Sequence, residues 1–406
     1  MMFIKPLELL DRTTTTVYAL TIMFAFCGLF LVPFGQSIFS NLLVVTGVFG
    51  LLNYFVGGKR EVFFTDRRLI WVFLFYAAVI FINRVIHGDQ YGVMRNLLYV
   101  AVFSLVMPRK KILLILGCLA ILAGGAGLGV LSAWQHENGI ARVEGFTNAI
   151  LFSQAALTLA ILNWCLFTKA KQYPWVRICA LIAVASSLLA LYLSQSRGVW
   201  LALGVIIIYV VLYKAIFKPW KYSAIALLFV IGIGCIYHTN TIVQNRITSA
   251  VSDINEIESG SYYSSWGLRV VAWKSAWLGF LDSPLIGVGS DGFRAVKEQQ
   301  VSQGLVSPLV LDTALAHAHN QYMQSLIIRG MMGLLALMAF IFYPMKIFIE
   351  KKGWGSPYSI IPLSFAISAL SDVPFEQQNT LYLYVLSLVF CWCAIEIKCK
   401  NDEKIS

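Results

Sequence analysis

The residues best equipped for chemistry stand in His317-Ala318-His319-Asn320-Gln321-Tyr322. Two imidazoles and an amide close the longest polar segment of the chain and lead into an apolar run from Gly333 to Tyr343. Imidazole titrates near neutrality, so it exchanges a proton with a hydroxyl or pairs with a phosphate at ordinary pH. A two-His metal site favours i, i+3 or i, i+4 on a helix. The i, i+2 spacing here fits poorly unless the segment is extended, and no HExxH occurs, so no metal is expected. Arginines offer the complementary chemistry. Arg197, in Ser194-Gln195-Ser196-Arg197-Gly198, lies in a very short link between two apolar runs, where its planar fork of donors suits phosphate oxygens. Arg269 stands among Trp266, Trp273 and Trp277, and Arg142 precedes Glu144-Gly145-Phe146-Thr147-Asn148. Each has a plainer alternative: head-group snorkelling for Arg197, a cation–π contact with Trp273 for Arg269, an interfacial anchor for Arg142. Asp372 and Glu376 flank Pro374 and either bind sugar hydroxyls or are solvated.

The elements that must hold these groups are membrane helices. The 406 residues are 59% hydrophobic and only 13% charged, with mean hydropathy +0.75. A soluble domain is nearer a quarter charged. The apolar residues fall in runs of about 17–25, long enough to cross a hydrocarbon core of roughly 30 Å. Only helices and closed barrels satisfy the backbone in lipid, and barrel strands would alternate in short segments. The expected fold is therefore an all-α polytopic membrane protein. About twelve spans are read at 15–33, 38–57, 68–86, 96–107, 112–133, 149–168, 175–193, 198–217, 221–238, 319–345, 357–373 and 379–397. They divide the chain into spans one to nine (1–238), a large outer loop (239–318), and three further spans with a short tail (319–406). Met1 to Thr16 is polar and leads into a full-length span, so no cleavable signal peptide is expected.

The connections alternate in charge. One set carries 21 of the 31 Lys and Arg: Lys5, Arg12, Lys59, Arg60, Arg67, Arg68, Arg109 to Lys111, then the basic residues of 169–177, 214–221, 346–352 and the tail from Lys398 to Lys404. The other ten lie on the opposite side, which includes the long loop. Short basic loops stay cytoplasmic, so both termini are expected inside and the long loop outside. The net charge of +11 follows from this bias and implies no nucleic acid. The loop itself is mildly acidic, five Lys and Arg against seven Asp and Glu.

Within the loop, Thr241 to Glu258 and Trp266 to Phe280 show helical periodicity, the second with a Trp stripe suited to a membrane interface. Ser283-Pro284 should stop that helix, and Gly287-Val-Gly289-Ser-Asp291-Gly292-Phe293 reads as a tight turn. The eight Cys lie in or beside apolar runs and none is in the loop, so no disulfide framework is expected. No Walker A, GxSxG or dinucleotide-binding GxGxxG motif is present, which leaves ATP-driven and hydrolase readings without support.

In this order the residues resemble the O-antigen ligase and polymerase superfamily of bacterial inner membranes. The resemblance runs through His319-Asn320, the nine residues Gln321 to Arg329, and Gly330-x-x-Gly333, a register that selects His319 over His317. Arg269-x-x-x-Trp273, Pro284-Leu-Ile-Gly287-Val-Gly289 with Phe293, and Ser-x-Ser-Arg197-Gly extend it over the whole chain. Within the superfamily the chain most resembles the lipopolysaccharide O-antigen ligases. That likeness implies transfer of O-antigen glycan from an undecaprenyl diphosphate donor to a lipid A-core acceptor, at the periplasmic face of the inner membrane among its lipids. It implies an inverting displacement with no cofactor, ATP or required metal. By motif match Arg197 and Arg269 would hold the diphosphate and His319 would be the essential His, either taking the acceptor's proton or contacting phosphate. His317, Asn320 and Arg142 are further candidates. An O-antigen polymerase and a protein O-oligosaccharyltransferase share the resemblance. A lipid-linked glycan flippase, from another class, would place charges within the spans, which are nearly free of them.

Overall fold

The structure, a computed structural model, describes residues 6–58, 61–64 and 66–403. Lys5, Lys59, Arg60, Lys404 and the chain termini, which entered the orientation argument, lie outside the described residues. The chain is an all-α membrane protein, with no strand among the described residues beyond one isolated bridge, Val62 to Pro108.

Among the described residues, ten helices are long and apolar enough to cross a bilayer. The first is α1 (Pro6–Met23), continued through a π turn at Phe24–Gly28 and α2 (Leu29–Leu31). Then come α3 (Gly35–Phe55), α4 (Arg68–His87), α5 (Tyr91–Leu105) and α6 (Lys111–Glu137). They are followed by α7 (Ala149–Lys169), α8 (Pro174–Leu193), α9 (Arg197–Ala215) and α10 (Pro219–Thr239). The outer segment holds α11 (Thr241–Glu258), α12 (Ser265–Asp282) and α13 (Gly289–Ser302). The last three are α14 (Gln321–Lys352), α15 (Pro357–Ser368) and α16 (Gln378–Glu403). Two expected spans are shorter apolar helices, α5 and α15. α15 stops at Ser368, so Asp372 to Pro374 lie in the connection beyond it.

Burial ranks the spans. α16 runs through the centre, with 89% of its apolar window buried, whereas none of the window of α10 is. α6 and α8 approach closely through Gly125, Gly129, Ala183 and Ser187, small residues of the kind that drive helix association in lipid. Polar side chains inside the bundle find partners there. Asn163 donates to the carbonyls of Ile121 and Leu159, and Tyr382 donates to Asn96.

The two outer helices read from periodicity are present at α11 and α12. The glycine-rich stretch after Pro284 differs from its expectation. Gly287 and Gly289 do take positive φ, at 68° and 73°, but Gly289 to Ser302 then form a helix. The buried face of α13 is Gly289, Phe293, Lys297 and Gln300. With a lysine and a glutamine turned inward, no apolar period marks it.

One break in a helix joins the outer segment to the bundle. Gly330 interrupts α14 with φ 62° and ψ −157°. The freed amides of Met331 and Met332 donate instead to the carbonyls of Pro284 (2.8 Å) and Leu285 (3.2 Å), and Val288 N–H donates to Ile327 (2.9 Å). The approach leaves no room for side chains. A Cβ on Gly330 would lie 2.4 Å from the Leu285 carbonyl carbon, and one on Gly287 2.4 Å from that of Ile328. The Pro284-Leu-Ile-Gly287 and Gly330 elements of the sequence therefore fit each other, and only glycine accepts both the conformation and the contact.

Candidate functional site

Four arginines converge where the short α8–α9 link meets the outer helices. A cavity of about 260 Å³ is lined by Arg142, Arg197, Arg246 and Arg269 together with Trp266 and Ser371. The α8–α9 link sets much of it. Gln195 sits in the left-handed region at φ 52°, a strained position for a side chain of this kind. Its carbonyl oxygen accepts from Arg246 Nε and Nη2 at 3.0 and 2.8 Å, and its amide donates to Ala141. Arg142 Nε donates to the Ser194 carbonyl at 3.1 Å.

The electrostatics favour an anion. Arg197 Nη2 meets Asp253 of α11 at 2.9 Å, the one carboxylate in ion-pair contact with these four side chains among the described residues. Arg197 Nη1 and Arg269 Nε are buried and have no hydrogen-bond partner among the described residues. Burial, followed by the nearby Arg142 and Arg197, pushes the Arg246 guanidinium below its ordinary pKa. Burial and then Arg197 act likewise on Arg269, against the pull of Asp372 and Asp253. Both remain charged, because arginine starts far above neutrality. An arriving phosphate would meet donors already aimed and like charges already crowded. Arg269 also stacks its guanidinium 6.0 Å from the Trp266 ring, rather than on Trp273.

The histidines stand beside this cavity. Leu370 and Ser371 line it, and the next residue, Asp372, brings Oδ1 to 3.8 Å from His319 Nδ1. His319 is a second non-glycine residue at positive φ, 47°. That turn brings the two imidazoles together, tilted at 59° with centroids 4.1 Å apart, and the His319 amide donates to His317 Nδ1 at 3.3 Å. Burial, then the adjacent His319, lowers the His317 pKa to about 4, so His317 is neutral at ordinary pH and serves as an acceptor for the backbone. Asn320 caps α14. Its Oδ1 accepts from the amides of Tyr322 and Met323, and its Nδ2 donates to Leu370. The amide is therefore engaged in holding the turn. The non-helical turn also overcomes the i, i+2 spacing, since His317, His319 and Asp372 present ligand atoms within 4.8 Å of one another. That is compact enough for an ion, while Asp372 is equally suited to orient His319 alone.

Near the histidines lies a cluster built on Arg329, a residue that sequence reading did not single out. Arg329, 1% exposed, donates from Nε to Asp89 at 2.6 Å and from Nη1 to Glu376 at 2.8 Å. Tyr76 and Gln321 complete it. Neither Asp372 nor Glu376 is solvated in the manner their positions suggested. Arg246 and Asp253 were also missed as members of the site. For Arg329 a signal existed, since a cation inside an apolar helix must find a buried partner. For Arg246 and Asp253 none did, because both read as ordinary loop charges.

With the geometry in place, comparison with known proteins is informative. Residues 181–338 match the O-antigen ligase family. This stretch runs from α8 through the α8–α9 link and the whole outer segment into α14. It contains Arg197, Arg246, Arg269, His317 and His319, and excludes Arg142 and Asp372. The chain is 28% identical over 356 residues to an uncharacterized protein of Haemophilus influenzae, spanning 83% of this chain and 86% of that one. It is 24% identical over 275 residues to the O-antigen ligase of Escherichia coli, spanning 65% of this chain and 62% of that protein. The resemblance read from the ordered motifs is thus borne out at the level of the family. The family is one of glycosyl transfer in lipopolysaccharide biosynthesis.

Proposed function

We propose, with the family match of residues 181–338 as premise, that this chain transfers O-antigen glycan from undecaprenyl diphosphate to lipid A-core at the periplasmic face of the inner membrane. The observation that carries the reading is the arginine cavity, with Arg197 Nη1 and Arg269 Nε unpartnered, opening beside the His319–Asp372 pair. In this reading the two guanidiniums hold the diphosphate and Arg142 supports them from the rim. The acceptor hydroxyl attacks the anomeric carbon from the side opposite the diphosphate. A new carbon–oxygen bond forms as the bond to the diphosphate oxygen breaks, and the anomeric centre inverts. The hydroxyl proton passes to His319, whose Nδ1 side faces Asp372. The electron pair of the broken bond stays on the diphosphate, where the arginines neutralise the growing charge. Fixed donors aimed at developing charge are commonly the largest catalytic contribution. The leaving group is already activated, so no nucleotide is needed, and the family resemblance implies no required metal.

The test is transfer by purified protein from undecaprenyl diphosphate-linked O-antigen to lipid A-core, with chelator and without ATP. Wild type should form high-mass lipopolysaccharide, and His319→Ala, though inserted and folded, should form none. Loss of wild-type transfer on chelation would sink the metal-independent reading. Longer lipid-linked glycan in place of lipopolysaccharide would make the chain a polymerase.

A further inference from the structure

A second cavity adjoins the segment that leads into the histidines. It has a volume of about 270 Å³ between α13 and the 308–316 segment, and its lining includes Ser290, Phe293, Arg294, Lys297, Asp312 and Thr313. Ala316 also lines it, and the next residue is His317. Each cavity thus has a lining residue next in sequence to the histidine site, Ser371 before Asp372 in one and Ala316 before His317 in the other.

Lys297 is the unusual residue of this second cavity. It is only 5% exposed, on the inner face of α13. Its ammonium lies 4.0 Å from the centre of the Phe293 ring and donates to the Leu315 carbonyl at 2.5 Å. Lysine has three donors, and this is the single hydrogen bond that the ammonium makes among the described residues. Buried cations normally have a carboxylate partner. Here Burial, then Arg294, pushes the Lys297 pKa down to about 8, the direction expected of an ammonium short of a counter-charge. Ser290 Oγ, in the same lining, is buried and without a partner among the described residues. Arg294 stands at the rim, exposed, with Glu298 at 3.0 Å.

We infer that this cavity is the acceptor subsite, and that Lys297, Arg294 and Ser290 bind an anionic substituent, a phosphate or a carboxylate, on a sugar of the acceptor. The inference rests on the transfer reading above and extends it to the second substrate. An in-line displacement needs the attacking hydroxyl and the leaving diphosphate on opposite sides of the anomeric carbon, with the proton-accepting group beside the hydroxyl. The arginine cavity takes the diphosphate, so the acceptor needs a separate approach, and the cavity lined by Ala316, next to His317, offers one. Anchoring a charged substituent one sugar or so from the reacting hydroxyl would bring that hydroxyl to His319 and exclude uncharged glycans. The competing account is structural: Lys297 only pins the 308–315 segment through the Leu315 carbonyl.

The experiment is steady-state transfer by purified full-length protein, wild type against Lys297→Gln, Lys297→Arg and Arg294→Gln. Donor and acceptor KM are measured separately. The acceptors are intact lipid A-core, the same acceptor stripped of sugar phosphates, and the same acceptor with its carboxylates amidated. Wild type should lose about tenfold or more in acceptor affinity for one of the two neutralised acceptors, and which one identifies the anion. Lys297→Gln and Arg294→Gln should raise the KM of the intact acceptor, leave donor KM within about twofold, and lose little further on the acceptor that wild type already binds poorly. Lys297→Arg should recover most of the affinity. Equal use of all three acceptors by wild type would overturn the inference, as would a Lys297→Gln defect shared equally by donor and acceptor. Arg294 is exposed, so its variant remains informative if Lys297→Gln fails to fold. Absence of any wild-type transfer would instead overturn the transfer reading itself.

Discussion

Two groups of arginine lie within the same end of this molecule and are held in opposite ways. Arg329 is enclosed by Asp89, Glu376 and Tyr76, with donors on all three guanidinium nitrogens engaged. The arginines of the α8–α9 cavity are crowded together, and donors on Arg197 and Arg269 point at no protein acceptor among the described residues. A buried charge that is fully paired has nothing left for a ligand, and removing it strands its partners. A charge left partly unpaired is held at some cost to the fold, which is the condition under which a ligand gains most by arriving. The comparison separates a residue that builds the site from residues that use it, although all are arginines near one another in sequence or space.

The sharpest way to break the comparison is Arg329→Met. It leaves Asp89 and Glu376 buried without their cation, and losing one partner of such a cluster costs about 3–5 kcal/mol. We expect little monodisperse protein in detergent and a markedly lowered unfolding temperature. A stable, active Arg329→Met protein would remove the distinction. The complement is Arg269→Gln or Arg197→Gln, for which we expect normal yield and unfolding temperature with transfer reduced about 100-fold or more, as for loss of one preorganised donor to a charged transition state. A large drop in stability alongside activity would place these residues with Arg329 instead. The smallest effect sharpens the role of Asp253. Its carboxylate occupies Arg197 Nη2, one of the donors a phosphate would use. In Asp253→Asn that competition ends, and donor KM should fall severalfold with little change in kcat. A raised donor KM would mean that Asp253 holds Arg197 in place.

The twelve apolar elements were legible because each exceeds or approaches the length of a bilayer crossing, a signal carried by composition alone. α11 and α12 were legible for a related reason, since each keeps a helical period through a polar segment. α13 was not, because Lys297 and Gln300 occupy the face where apolar residues would have announced it. His319, Arg197 and Arg269 were picked out by their match to the family motifs, and the structure brings them to one region. What could not be read was partnership across distance. Nothing near Asp89 in the chain points to Arg329, 240 residues away, and nothing near Asp253 points to Arg197. Asn320 shows the converse. It sits in the motif beside His319, yet its side chain is taken up by the helix cap and by the Leu370 carbonyl.

The break at Gly330 also has a kinetic consequence. Because the amides of Met331 and Met332 are bonded to Pro284 and Leu285, and that of Val288 to Ile327, none of these bonds belongs to a continuous helix. None can open by fraying from an end, so all three should exchange with solvent only when the outer segment lifts from α14 as a unit. Their exchange rates should therefore move together, and they would report that undocking directly from within a membrane helix.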